Sequence, residues 1–317
     1  MEPEVLSWSE LVRHGGSVAR ARTLLQHREW WQVCRGAYAP WYVEDGPAVR
    51  ALALRRLLPR DVALSHRSGL WLLGLDVLGD VLDVTVDRGR QIDARPRLRT
   101  HTARLDDDEL CLVAGLLVVS PARAVLDVAR CEPLVEAVAV ADAALRAGWT
   151  TLDGIEVALD RCAGLRGVRS ARQVLAHAEP RSESPQESRL RMQLVLGGVP
   201  RPVAQHDVYG PDGHVARVDL WLDGLALEFD GREVHLQPGV FAQERHRQAG
   251  LLELEVEVRR YTGVDVYRRS RADLCAEVLR AWEQARRRSR SAVRTGPDTL
   301  PRPRNAPPPV LGQRRAA

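Results

Sequence analysis

Five carboxylates crowd one short stretch of this chain. Residues 217–235 read R-V-D-L-W-L-D-G-L-A-L-E-F-D-G-R-E-V-H and place Asp219, Glu228 and Asp230 among alternating apolar positions. Asp223-Gly224 lies between two such runs, the dipeptide that suits a two-residue type I′ hairpin turn. That turn sets Leu222 opposite Leu225, Asp219 opposite Glu228 and Arg217 opposite Asp230. Directly opposed residues have Cβ atoms roughly 4.5–5.5 Å apart, where like charges destabilise a sheet. A divalent cation offsets such repulsion. Mg²⁺ fits the pattern, because it takes hard oxygen ligands, one or two carboxylates together with substrate phosphates. The other reading is a solvated outer face on which Arg217 neutralises part of the charge.

The elements that must position these groups follow from the pattern around them. Strand alternation puts Val218, Leu220, Leu222, Leu225, Leu227 and Phe229 on a core face, and Arg217, Asp219, Trp221, Ala226, Glu228 and Asp230 on the other. A helix begins at Pro185 and Glu187, carries Leu190, Leu194 and Val195 as its apolar stripe, and ends at Gly197-Gly198. Residues 203–208 read as a strand and Pro211-Asp212-Gly213 as a turn into the hairpin. A helix over 241–254 bears Glu244, Arg245, Arg247 and Gln248, a strand covers 256–261, and a helix over 265–280 closes the unit. The order is helix, three strands, helix, strand, helix.

At 317 residues the chain predicts two or three folded units. All 46 basic residues are Arg, so no lysine ammonium serves in any site here. The net charge of +4 hides an asymmetry. Residues 286–317 hold nine Arg and one acid, which leaves 37 Arg against 41 acids before them. The basic balance therefore comes from the tail, and whole-chain basicity says little about nucleic acid. Five scattered Cys without a Cys-x-x-Cys predict neither a disulfide framework nor a zinc knuckle. No secretory leader pattern and no apolar run of about 18 residues occurs, so a reduced cytoplasm and no membrane are expected.

Residues 1–45 predict a compact opening unit. Ser7 caps a short helix with Glu10 at the capping-box position, Ser17 caps a second, and W-W-Q-V-C-R-G-A-Y (30–38) turns at Gly36 as a small β-wing. Helix, helix and wing suggest a winged helix-turn-helix, with Arg20, Arg22 and Arg28 as phosphate or base contacts to DNA. A plain helical cap on the next unit is the rival. Residues 46–178 read as a mixed α/β region: helices over 47–58 and 65–75, strands over 81–86 and 98–102, a hairpin over 112–119, and helices over 122–130, 134–147 and on to 177. His66 and His101 are a tempting pair, but without a partnered nucleophile they read as structural. Residues 179–184 are a polar linker, 179–285 the carboxylate-bearing unit, and 286–317 a disordered basic Pro/Arg tail, holding phosphates or merely solubilising the chain. The fold class is α/β, α+β overall.

Over about 100 residues the C-terminal unit resembles a PD-(D/E)XK nuclease-like domain of the branch related to very-short-patch-repair endonucleases. P-Q-E-S-R-L-R (185–191), G-G-V-P-R-P (197–202), R-V-D-L (217–220), L-E-F-D-G (227–231) with His235, and E-R-H-R-Q (244–248) carry the likeness. The resemblance implies a restriction-endonuclease-like α-βββ-α-β core, a metal held by Asp219 and Glu228 with support from Glu187, and Mg²⁺-dependent hydrolysis of DNA. It sets Asp230 where the family often has Lys, offers His235 as a proton-transfer group, and gives Arg245 and Gln248 to phosphate or to the hairpin carboxylates. The segment after Leu251 lacks the family's Gly-Trp pair. Residues 7–130 more faintly resemble the AbiEi-type antitoxin architecture, through W-W-Q-V-C-R-G-A-Y, S-H-R-S-G-L (65–70) and S-P-A-R-A-V-L-D (120–127). That resemblance implies a winged-helix repressor of its own operon, with a partner toxin or a homo-oligomer. A non-catalytic regulator with a degenerate nuclease fold is thus the alternative to a nuclease.

Overall fold

A computed structural model describes residues 4–59, 62–79, 81–90, 92, 97–230, 238–288 and 294–295. In chain order the elements are β1 (Leu6–Ser7), α1 (Trp8–Gly15), α2 (Val18–Gln26), β2 (Trp30–Cys34), β3 (Ala37–Pro40), α3 (Pro47–Leu57), β4 (Ala63–Leu64), α4 (His66–Leu72), β5 (Leu82–Val86), β6 (Leu98–Thr102), β7 (Leu110–Val113), β8 (Leu116–Val119), α5 (Pro121–Cys131), α6 (Leu134–Arg146), α7 (Leu152–Arg161), α8 (Val168–His177), α9 (Pro185–Leu196), β9 (Val203–Gly210), β10 (Gly213–Leu222), β11 (Leu225–Phe229), α10 (Pro238–Glu253), β12 (Glu257–Tyr261), α11 (Gly263–Tyr267), α12 (Arg271–Arg288) and β13 (Arg294–Thr295). The described residues form a mixed α/β fold, as the sequence predicts, arranged in three sheets. They divide into two compact units, one built from residues 1–128 and 149–164, the other from 129–148 and 165–305.

The first unit opens as its caps dictate. The Ser7 hydroxyl accepts from the Glu10 N–H while the Glu10 carboxylate accepts from the Ser7 N–H, and the Ser17 side chain accepts from Arg20 N–H. Leu11, Ala21, Leu24, Trp30 and Tyr38 then close a small core between the helix pair and the β2–β3 hairpin. The hairpin turns at Gly36, whose φ of 93° an L side chain rarely adopts. Its other residues Val33, Cys34, Ala37 and Ala39 join Val49, Leu54, Leu64, Val84 and Val118 in one larger core. The second sheet has the order β6-β5-β4-β8-β7, with β5–β6 and β4–β8 parallel. A two-residue strand such as β4 lies below what alternation in a sequence reveals.

The second unit is a five-stranded sheet of order β12-β11-β10-β9-β13. Asp223 and Gly224 have φ of 33° and 93°, as a type I′ turn requires, and Leu222 pairs with Leu225. Both faces of this sheet are covered, which corrects the expected split into one core face and one acidic face. Leu190 and Leu194 of α9 and Leu274 and Val278 of α12 pack with Leu220, Leu222, Leu225 and Leu227. Val218, Trp221 and Ala226 pack instead with Leu251, Leu254 and Val256. Full burial of a side chain such as Leu220 contributes about 1.5–3 kcal/mol. The closing helix predicted as one piece is two, α11 and α12, with the second running to Arg288 inside the expected tail. Arg294 and Thr295 add a short antiparallel strand to β9. The rest of that tail, 289–293 and 296–317, lies outside the described residues.

Helix α9 is fastened by a buried ionic knot. Arg191 donates to Asp142 of α6 at 2.7 Å and to the His177 carbonyl at 2.8 Å, while the Ser188 hydroxyl donates to Asp142 at 2.7 Å. Asp142 also accepts from the Glu179 N–H. Arg191 and Asp142 are nearly inaccessible to solvent. Burial pushes the Asp142 carboxyl up to about 6 against the pull of Arg191.

Candidate functional site

Glu187 stands in the first turn of α9. The Ser184 hydroxyl accepts from the Glu187 N–H at 3.1 Å, and the Glu187 carboxylate accepts from the Glu183 N–H at 2.8 Å. Pro185 at the first turn sets the backbone angle without wasting a donor. The knot at Arg191 and Asp142 then fixes where this turn lies.

Gln205 of β9 joins Glu187 to Asp219. Its Nε2 donates to Glu187 at 2.9 Å and to Asp219 at 3.3 Å. Gln205 is buried and has φ of 49°, an uncommon conformation for a residue other than glycine. Around it the strand alternation breaks. The pairs Ala216–Val208 and Val218–His206 precede it, with Val208, Ala216 and Val218 in the α10-side core, whereas Ala204 and Leu220 pair and belong to the α9-side core. The change of side falls at Gln205 and Asp219. Locally unfavourable backbone of this kind clusters at functional sites.

Asp219 leaves the ladder it was expected to continue. The recorded β10–β11 pairs end at Leu220–Leu227, and the Asp219 carboxylate accepts from the Phe229 N–H at 2.9 Å. Burial raises its pKa, opposed by that hydrogen bond and reinforced by the nearby charge of Glu228. Glu187 is pushed up to about 7, by burial first and then by the charge of Asp219. Neither carboxylate has an ion pair among the described residues.

Glu228 is held differently. Arg247 of α10 grips it through both guanidinium nitrogens, at 2.5 and 3.0 Å, and Arg260 reaches it at 3.3 Å. The parallel register of β11 and β12 sets Glu228 beside Arg260. Glu187, Asp219 and Glu228 do not form a group with all ligand oxygens within 4.8 Å among the described residues. Asp230 is exposed, its backbone N–H bonded to the Tyr261 carbonyl. Arg217 reaches Asp207 of β9 at 3.7 Å and not the expected Asp230. Arg245 and Gln248 are exposed on α10. His235 lies outside the described residues.

Sequence reading missed Gln205, Arg247 and Arg260. Arg247 carried a signal: it precedes Leu251 by one turn, on the stripe that meets the sheet. Gln205 interrupts an apolar run, and Arg260 is visible only once the β11–β12 register is known. In the first unit Arg20, Arg22 and Arg28 are exposed, Arg20 reaching Glu29 at 3.9 Å, and Arg28 has φ of 58°. No described helix is long and apolar enough to cross a membrane.

The residues fit a hard cation in part. Buried Glu187 and half-buried Asp219 form a repelling oxygen pair, the number of carboxylates Mg²⁺ commonly takes from a protein. Glu228 fits only if Arg247 and Arg260 release it.

Comparison with known proteins finds no matching family model. The chain is 33% identical over 217 residues to the uncharacterized proteins MT2308 and Rv2248 of two Mycobacterium tuberculosis strains, covering 68% of this chain and 79% of each relative. Among solved structures, the RV2827C protein of Mycobacterium tuberculosis aligns with 66% of this chain and 85% of its own at 18% identity and a TM-score of 0.32, too loose a match to carry an argument. The identity and coverage suffice for one conclusion: the chain belongs to the family of the uncharacterized Mycobacterium tuberculosis protein Rv2248.

Proposed function

We propose that this chain is a Mg²⁺-dependent DNA endonuclease of PD-(D/E)XK-like type, with an N-terminal DNA-binding module. One observation carries the reading: buried Glu187 and half-buried Asp219 share a single amide donor, the charge of Asp219 raises the proton affinity of Glu187, and neither has a neutralising arginine among the described residues. Two buried carboxylates cost stability unless a cation or proton offsets them. Glu187 and Asp219 would hold the ion, which when bound polarises a phosphoryl oxygen and acidifies a water. Gln205 keeps the two carboxylates aligned. Arg247 and Arg260 offer guanidinium groups to a phosphate that competes with Glu228 for them. Arg20, Arg22 and Arg28 on the opening unit add phosphate contacts.

The ion pairs on Glu228 favour a second reading. A carboxylate already neutralised by two arginines fits a regulator that binds DNA through a degenerate nuclease fold. Such a regulator would act with a partner toxin or as a homo-oligomer in the cytoplasm. Purified protein and the Asp219→Ala/Glu228→Ala variant separate the two. The nuclease reading expects Mg²⁺-dependent cleavage by the first protein only, with DNA binding retained by both. The regulator expects no cleavage by either and equal binding.

A further inference from the structure

The first unit contains a second constellation that the carboxylate site does not use. His66, Asp83 and His101 each present a ligand atom, and these atoms all lie within 4.8 Å of one another. Asp83 lies on β5 and His101 on the neighbouring β6, while His66 opens α4 two residues past β4, the strand on the other side of β5. The β4–β5 and β5–β6 registers, Leu64 with Val84 and Thr85 with His101, fix their spacing through backbone hydrogen bonds. All three ligands thus sit on regular elements, two on the sheet and one at a helix start, which holds them to a tighter geometry than loops would.

Two features mark the cluster. The imidazoles of His66 and His101 stack face to face with centroids 3.8 Å apart, and His101 Nε2 lies 2.8 Å from the Asp83 carboxylate. This gathers two rings around one buried acid. His66 is also held at φ of 50°, an uncommon conformation for a residue other than glycine. Neighbouring hydroxyls orient the groups, as outer contacts do at metal centres. Ser65 Oγ lies 3.0 Å from His66 Nδ1, and Ser68 Oγ accepts from the Asp83 N–H at 2.7 Å. His66 and Asp83 are buried, while His101 keeps 22% of its side chain exposed, leaving a way in. The exposed Arg99 reaches to 3.6 Å of Asp83.

We propose that His66, Asp83 and His101 bind one divalent transition-metal ion of the zinc class. Two neutral imidazoles and one carboxylate suit Zn²⁺ or Co²⁺ better than Mg²⁺, which prefers an all-oxygen shell. Three protein ligands leave a coordination position for water or for an anionic group. Bond lengths of about 2.0–2.2 Å to each ligand require only a modest closing of the present cluster. The ion would tie the start of α4 to two strands of the sheet.

The test uses the full chain, stripped with chelator and titrated with Co²⁺ by visible absorption, then with Zn²⁺ against a chromophoric chelator. The expected result is one equivalent bound with a d–d band, and affinity at least ~10-fold weaker in His101→Ala. That variant is chosen because His101 is the least buried ligand. Asp219→Ala/Glu228→Ala keeps the band, so failure of the nuclease reading leaves this site standing. Imidazole nitrogen NMR of the unmutated protein gives a readout independent of any variant's folding: Zn²⁺ shifts the ring nitrogens of two of the nine histidines. Absence of binding below ~100 µM (an affinity of about −5.5 kcal/mol), binding unchanged by His101→Ala in a folded protein, or ring shifts in other histidines overturns the assignment.

Discussion

Replacing Glu187 by Gln separates a functional carboxylate from a merely structural one. The Glu187 carboxyl is pushed from an ordinary 4.5 up to about 7, by burial first and then by Asp219. Between those pH values the folded protein holds more protons than the unfolded chain, so stability falls as pH rises through this window. The penalty is absent below about pH 4.5 and complete above about pH 7, and at 1.36 kcal/mol per pH unit it amounts to roughly 3 kcal/mol. Gln has nearly the same shape and no charge to desolvate. Its loss or change of hydrogen bonds adds an offset of about 1 kcal/mol at every pH. Urea unfolding with EDTA from pH 4.5 to 8 should show the variant gaining on the unmutated protein by roughly 3 kcal/mol across the range. Adding Mg²⁺ at pH 8 should stabilise the unmutated protein and close much of the gap. A difference independent of pH, or a variant that loses stability as pH rises relative to the parent, refutes the reasoning.

Other predictions follow from particular contacts. Asp142→Ala strands the buried Arg191 guanidinium and should cost about 3–5 kcal/mol by denaturant unfolding, whereas Asp142→Asn/Arg191→Met should cost much less. Gly197→Ala drives a Cβ into Cys275 Sγ and should destabilise by about 1–3 kcal/mol, a loss that Cys275→Ala in the same chain partly recovers. Arg20→Ala/Arg22→Ala should weaken DNA binding evenly across sequences and lower the salt slope by about 2, as a salt titration of the affinity would show.

Much of the fold was legible because local chemistry and packing agree. Ser7 with Glu10, and Ser17, start helices at the residues where hydroxyl capping predicts them, and Asp223-Gly224 sets the hairpin register. The candidate site was legible in residue type but not in partnership. Glu187 and Asp219 meet through Gln205, whose positive φ reverses the side-chain alternation that sequence reading extends uniformly along a strand. Along β10 the alternation breaks at Asp219, so Val218 and Leu220 face opposite sides of the sheet. The arginines on Glu228 come from α10 and from a parallel strand, and such long-range register leaves no periodic trace. His66 and His101 looked isolated because β4 is two residues long and Asp83 sits in the middle of an ordinary alternating strand.

The most direct test of the central claim is the rate of supercoiled plasmid relaxation as a function of Mg²⁺ concentration, measured for the unmutated chain and for Asp219→Asn. Asn keeps a side-chain oxygen for the Phe229 N–H and removes only the charge. The account predicts cleavage that requires Mg²⁺, is absent in EDTA, and falls at least ~10²-fold in the variant. Cleavage that persists in EDTA, or is equal in the two proteins, or is absent from both, contradicts it.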